Sequence, residues 1–190
     1  MMRRQERAFS VAEILVASAI LTGLGVMAAG WMIGAWDAWA TVTTQSDLRT
    51  RMQQALSRMA TELRDTTRAG AGSPPNVAIP PAPGNTMLTF YLPADLDGNG
   101  LITDVSGNTE WNIALPVQFV YLPNTRQLQR IAGGAIQVIA NDVAAVAFAD
   151  RTIDPQLNLD EVRMTLTLQQ TTAQRRTLSA TAAASVKLRN

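Results

Sequence analysis

The chain has 190 residues, 47% of them hydrophobic and 16% charged, with a formal net charge of +1. That balance excludes a bulk electrostatic nucleic-acid binder, and the length suits one domain with its own core plus a long extra element. Cysteine and histidine are both absent, which excludes a disulfide scaffold, the common zinc sites and the usual histidine-based catalytic pairs, so the composition points away from an enzyme.

Residues 1–8, MMRRQERA, carry Arg3, Arg4 and Arg7 against Glu6, and from Phe9 to Trp36 the only charge is Glu13. As a helix, Phe9 to Trp36 spans about 42 Å, more than the ~30 Å of a bilayer core. The basic flank predicts a single pass with the N-terminus cytoplasmic and the bulk of the chain outside. A cleaved secretory signal has a shorter apolar region of about 7–15 residues. A plain signal anchor fits the length but leaves Glu13 unexplained, because a carboxylate in hydrocarbon is costly.

RAFSVAEILVASAIL resembles the class III signal of type IV prepilins and pseudopilins: a short basic leader, a small residue (Ala8), then Phe9, with Glu13 as the fifth residue counted from Phe9. The family usually has Gly where Ala8 stands, and Thr-Leu-Ile or similar in place of Ser10-Val11-Ala12. The resemblance implies cleavage between Ala8 and Phe9 by a prepilin peptidase, and methylation of the new amino group of Phe9. It further implies that Glu13 pairs with the Phe9 amino group of a neighbouring subunit. The physical sense is that an isolated ammonium and an isolated carboxylate are each costly in a membrane or filament core, and together offset one another. The competing reading is a snorkelling Glu near the end of an ordinary anchor. Loss of residues 1–8 takes the net charge from +1 to −1, so specific nucleic-acid binding is not expected.

The segment 9–36 is thus read as the transmembrane or filament-core helix, and 37–68 as its amphipathic continuation. Leu48, Met52, Leu56, Met59 and Leu63 recur at the spacing of one helix face. Thr41-Val42-Thr43-Thr44 is a weak helix former and is expected to bend or melt locally. Residues 69–86, which include AGAGSPPNVAIPPAPGN, read as a Pro/Gly-rich linker. From 87 to 190 short strand patterns follow: 87–92, 113–122 (with Pro116 suggesting an edge or bulge), 126–131, 135–139, 142–150, 161–170 and a last strand to the C-terminus. In 161–170, Val162, Met164, Leu166 and Leu168 alternate with Arg163, Thr165, Thr167 and Gln169, as in a sheet with one covered face. The fold class is α+β. The pilin resemblance implies one long N-terminal helix packed on an antiparallel β-sheet. The order of elements over residues 113–190 is also similar to the larger minor pilins (the W class) and the J-class minor pseudopilins of type II secretion.

ADLDGNGLITD (94–104) is the one sharp chemical motif. Asp95, Asp97 and Asn99 fall at the first, third and fifth places of an EF-hand-like loop, with Gly100 at the turn and the Leu101 carbonyl next. Ser106 stands at the twelfth place, and Asp104 would substitute if the loop is shortened. Ca²⁺ suits such oxygen ligands; the alternative is an Asp/Asn/Gly turn with solvated carboxylates. No cofactor is otherwise required. The leading expectation is a minor pilin or pseudopilin whose partners are other subunits, the peptidase, the inner membrane and its assembly platform, residing in the inner membrane and then in a pilus or pseudopilus. The alternative is a monomeric membrane-anchored periplasmic binding domain.

Overall fold

The structure, a computed structural model, describes residues 10–66, 77–81, 85–172 and 174–188. The expected cleavage site at Ala8–Phe9, the Phe9 amino group and most of the expected linker lie outside the described residues. The chain divides into two units, residues 1–43 and 44–190, with one continuous helix, α1 (Val11–Arg64), contributing to both.

Within the first unit, α1 starts at Ser10, whose carbonyl accepts the first intrahelical hydrogen bond from the Ile14 N–H at 3.2 Å. No residue from Val11 to Trp36 is buried, although Ile14, Leu15, Val16, Ile20, Leu21 and Leu24 are all large and apolar. The hydroxyls in this stretch bond back to the helix. Ser18 donates to the Leu15 carbonyl (2.9 Å) and Thr22 to the Ser18 carbonyl (2.8 Å), so neither presents a bare polar group to an apolar surrounding. The local melting expected at Thr41–Thr44 does not occur. Thr41 donates to the Asp37 carbonyl and Thr43 to the Trp39 carbonyl, each at 2.9 Å, and the helix runs through. Low propensity is outweighed there by the length of the helix on either side.

In the second unit the helix turns amphipathic, and Leu48, Met52, Ala55, Leu56, Met59 and Leu63 are its buried residues. They join one core with Leu88, Phe90, Val117, Phe119, Leu128, Val143, Phe148, Val162, Met164, Leu166, Leu168 and Val186. Burying each such side chain contributes about 1.5–3 kcal/mol, which holds this half of the helix far more firmly than propensity does.

Two antiparallel sheets supply the rest. The first is a five-stranded meander of β1 (Val77–Ala78), β2 (Met87–Phe90), β3 (Val117–Leu122), β4 (Gln127–Ala132) and β5 (Ala135–Ala140); the second joins β6 (Val143–Ala149), β7 (Glu161–Thr171) and β8 (Thr177–Lys187). The single sheet expected from the sequence is therefore two. The change of sheet falls at Asn141–Asp142, where Asp142 takes a left-handed backbone (φ 59°) and the chain leaves β5 for β6, which pairs with β7. Pro116 marks neither an edge nor a bulge. It precedes β3, a central strand, at the one place where a missing N–H costs no ladder bond. Val77–Ala78, inside the stretch read as linker, pairs with Phe90 and Thr89. Gly133 and Gly134 (φ 55° and 80°) make the two-residue hairpin between β4 and β5.

Hydrogen bonds tie the two sheets at both ends of β6. Arg126 donates to the Gln169 carbonyl at 2.7 Å, and the Phe148 N–H donates to the Asn85 carbonyl at 2.8 Å. On the helix side, Glu62 meets Arg130 of β4 at 2.6 Å, with both side chains about four-fifths buried.

Candidate functional site

Two acidic places among the described residues bear on the expected function. The first is the start of α1. The Glu13 carboxylate accepts the Ser10 N–H at 2.9 Å and the Ser10 hydroxyl at 3.1 Å, both at Oε2, while the Ser10 Oγ accepts the Glu13 N–H at 3.3 Å. This is a reciprocal capping box, and S-x-x-E is its sequence signature. The box satisfies two backbone donors that a helix start otherwise leaves open, and it places negative charge where the helix dipole favours it. Glu13 also borders a shallow hollow lined by Ala12, Val16, Ala17 and Ile20. A carboxylate placed in this way can keep its local bonds or receive a cation from outside the chain. Ser10 is the functional neighbour that the sequence reading missed.

The second place is the excursion between β2 and β3, residues 91–116. It is built as two nested pieces of antiparallel pairing. Pro93 bridges Trp111, and the Ala94 N–H donates to the Glu110 carbonyl at 3.1 Å; further out, the Glu110 N–H donates to the Ile102 carbonyl at 2.9 Å and Thr103 bridges Thr109. Glu110 is therefore pinned by its backbone to both ends of the acidic loop. Its side chain then accepts the Leu96 N–H at 2.6 Å.

Inside the loop, Asp95 accepts the N–H groups of Gly98 (2.7 Å), Asn99 (3.1 Å) and Gly100 (2.8 Å). Gly98 and Gly100 take positive φ (76° and 81°), which lets those donors converge on one carboxylate. The Gly100 N–H is the largest influence holding the Asp95 carboxyl below the usual aspartate range; Gly98, Asn99 and the Asp97 side chain act in the same direction, and partial desolvation opposes them. Asn99 is spent on the loop itself: its amide donates to Asp97 Oδ2 and to the Thr103 carbonyl, and its Oδ1 accepts the Leu101 N–H at 2.7 Å.

Asp95, Asp97 and Glu110 each bring a carboxylate oxygen within 4.8 Å of the others. Oxygens bound to a single Ca²⁺ at 2.3–2.6 Å lie at most about 5 Å apart, so this trio has the spacing for one hard cation. Of the five residues singled out in sequence, the structure brings Asp95 and Asp97 together and adds Glu110. Asp104 serves a different turn, accepting the Ser106 and Asn108 N–H groups, each at 2.8 Å. The Asn108 N–H is the main cause of its lowered pKa. Glu110 falls outside EF-hand spacing and reaches the loop only through the hairpin that returns from Thr103 to Thr109.

In comparisons with known proteins, the chain matches no family model and no curated protein.

Proposed function

We propose that the chain is a minor pilin or pseudopilin. In this reading it inserts in the inner membrane with the N-terminus cytoplasmic, is cut between Ala8 and Phe9, and assembles through its N-terminal helix into a type IV pilus or a type II secretion pseudopilus. Its role is structural rather than catalytic. The observation that carries the reading is the sequence RAFSVAEILVASAIL at the head of a helix whose first 26 residues bury nothing within the chain. Such a surface calls for cover from outside, and a lipid bilayer followed by neighbouring helices supplies it. A Phe9 ammonium from a neighbour would meet Glu13 beside its hollow.

A second reading, the monomeric membrane-anchored periplasmic domain, is favoured by one specific observation: the capping box already gives Glu13 an intrachain role. Intact mass and N-terminal sequencing of the membrane-extracted protein separate the two. A chain beginning with methylated Phe9 is the expected result, and one beginning at Met1 sinks the assembly reading. We further propose that Asp95, Asp97 and Glu110 hold Ca²⁺, which would relieve the mutual repulsion of three close carboxylates and fix the 91–116 excursion.

A further inference from the structure

We infer that Trp31, Trp36 and Trp39 form an aromatic anchor that sits in the outer headgroup layer of a phospholipid bilayer and sets how far α1 is drawn through it. The inference rests on the membrane-anchor part of the reading above and not on filament assembly. Three of the chain's four tryptophans stand in this nine-residue stretch, and all three are largely exposed, at 82%, 67% and 68%. At about 100° per residue they fall within an arc of roughly 140° on one side of the helix. There they surround a concave patch floored by Ala28, Met32 and Ala35.

Depth decides what this patch faces. At 1.5 Å per residue, Trp31 lies about 30 Å and Trp39 about 42 Å from Val11. A bilayer core is about 30 Å thick, and 40–45 Å with its headgroups. With the Ser10–Glu13 box at the inner boundary of the core, the outer headgroup layer runs from about 30 to 37 Å along the helix. Trp31 stands at its inner edge, Trp36 at its outer edge, and Trp39 about 5 Å beyond, where a helical side chain leans back toward the N-terminus and so toward the layer. Indole suits that layer because its ring is apolar, its N–H needs a polar partner, and its face attracts the ammonium of a lipid headgroup. Asp37, the first charged residue after Glu13, points away from the aromatic arc, as the helical spacing requires. A second helix is the poorer occupant, since close helix packing in membranes needs backbones to approach over small residues, and three bulky rings flank Ala28 and Ala35 here.

The test uses the full chain reconstituted in phosphatidylethanolamine/phosphatidylcholine vesicles, with Trp111→Phe to leave only the helix tryptophans. Fluorescence is quenched with lipids brominated either near the headgroup or near the bilayer centre. The expected result is several-fold stronger quenching by the shallow bromines. Equal or stronger quenching by the deep bromines overturns the inference, as does the absence of quenching in protein that floats with the vesicles. Protein that fails to float overturns the anchor reading itself. A companion variant with Trp31, Trp36 and Trp39 all changed to Leu keeps Trp111. It is expected to show no bromolipid quenching, and shallow quenching of Trp111 as strong as that of the helix tryptophans would show that contact with headgroups is not particular to the aromatic stretch and refute the proposal.

Discussion

Changing Glu13 to glutamine separates two roles that one carboxylate fills. Glutamine at the third helical position still closes a capping box with Ser10, so Glu13→Gln keeps the local geometry in which Ser10 N and Oγ lie 2.9 and 3.1 Å from the side chain. What it removes is the charge. If a neighbour's amino terminus relies on that charge, the variant leaves an uncompensated ammonium in an apolar setting, at about 2.5–3.5 kcal/mol on insertion scales. That cost lowers the incorporation equilibrium by roughly two orders of magnitude. Ser10→Ala does the reverse. It strips the cap, at about 1 kcal/mol, and keeps the carboxylate, so incorporation should fall by roughly fivefold at most. The assay is the ratio of filament-borne to membrane-borne protein, with intact mass confirming equal processing. Glu13→Gln at wild-type incorporation, beside a strongly impaired Ser10→Ala, would show that Glu13 matters as a cap and refute the charge-pair reasoning.

Two further outcomes follow from the second unit. Millimolar Ca²⁺ should raise the melting midpoint of the wild-type protein and of Asp104→Asn, but not of Glu110→Gln, because Glu110 joins Asp95 and Asp97 while Asp104 serves its own turn; a wild-type midpoint indifferent to calcium removes the metal proposal. Met59→Ala, at a residue with no exposed surface, should cost about 2–5 kcal/mol, or about 4–20 °C in midpoint for a unit of this size. Gln53→Ala on the exposed face of the same helix should stay within about 0.5 kcal/mol, and equal effects at the two sites would contradict packing as the source of stability.

What could be read from the chain and what could not divide along the range of the interactions. Leu48 to Leu63 and the alternation of β7 are local periodicities, and each position assigned to the covered face is buried. Ser10–Glu13 is equally local and legible as S-x-x-E, although the same carboxylate also carries the resemblance to prepilins. The division into two sheets was not legible. It falls at Asn141–Asp142, and a left-handed aspartate there leaves no periodic trace. Glu110 was hidden for a related reason. Its distance from Asp95 along the chain has no meaning until the Thr103–Thr109 pairing folds it back. Val77–Ala78 is too short to show any period and takes its strand character from β2.

The two parts of α1 make the functional argument sharper than either does alone. From Leu48 to Leu63 the apolar residues keep to one face, and the second unit's own sheets cover it. From Val11 to Ile33 they run all round, and the unit that contains them offers no cover. A helix that is apolar on every side is stable only where its whole circumference is dry, and the proposed reading supplies that cover from outside the chain. Lipid alone would satisfy that demand and would leave Glu13 to its cap. A filament of like helices would satisfy it too, and would give the carboxylate a second partner. The glutamine variant therefore bears on more than one residue: it asks whether the cover of this helix is lipid throughout or becomes other subunits.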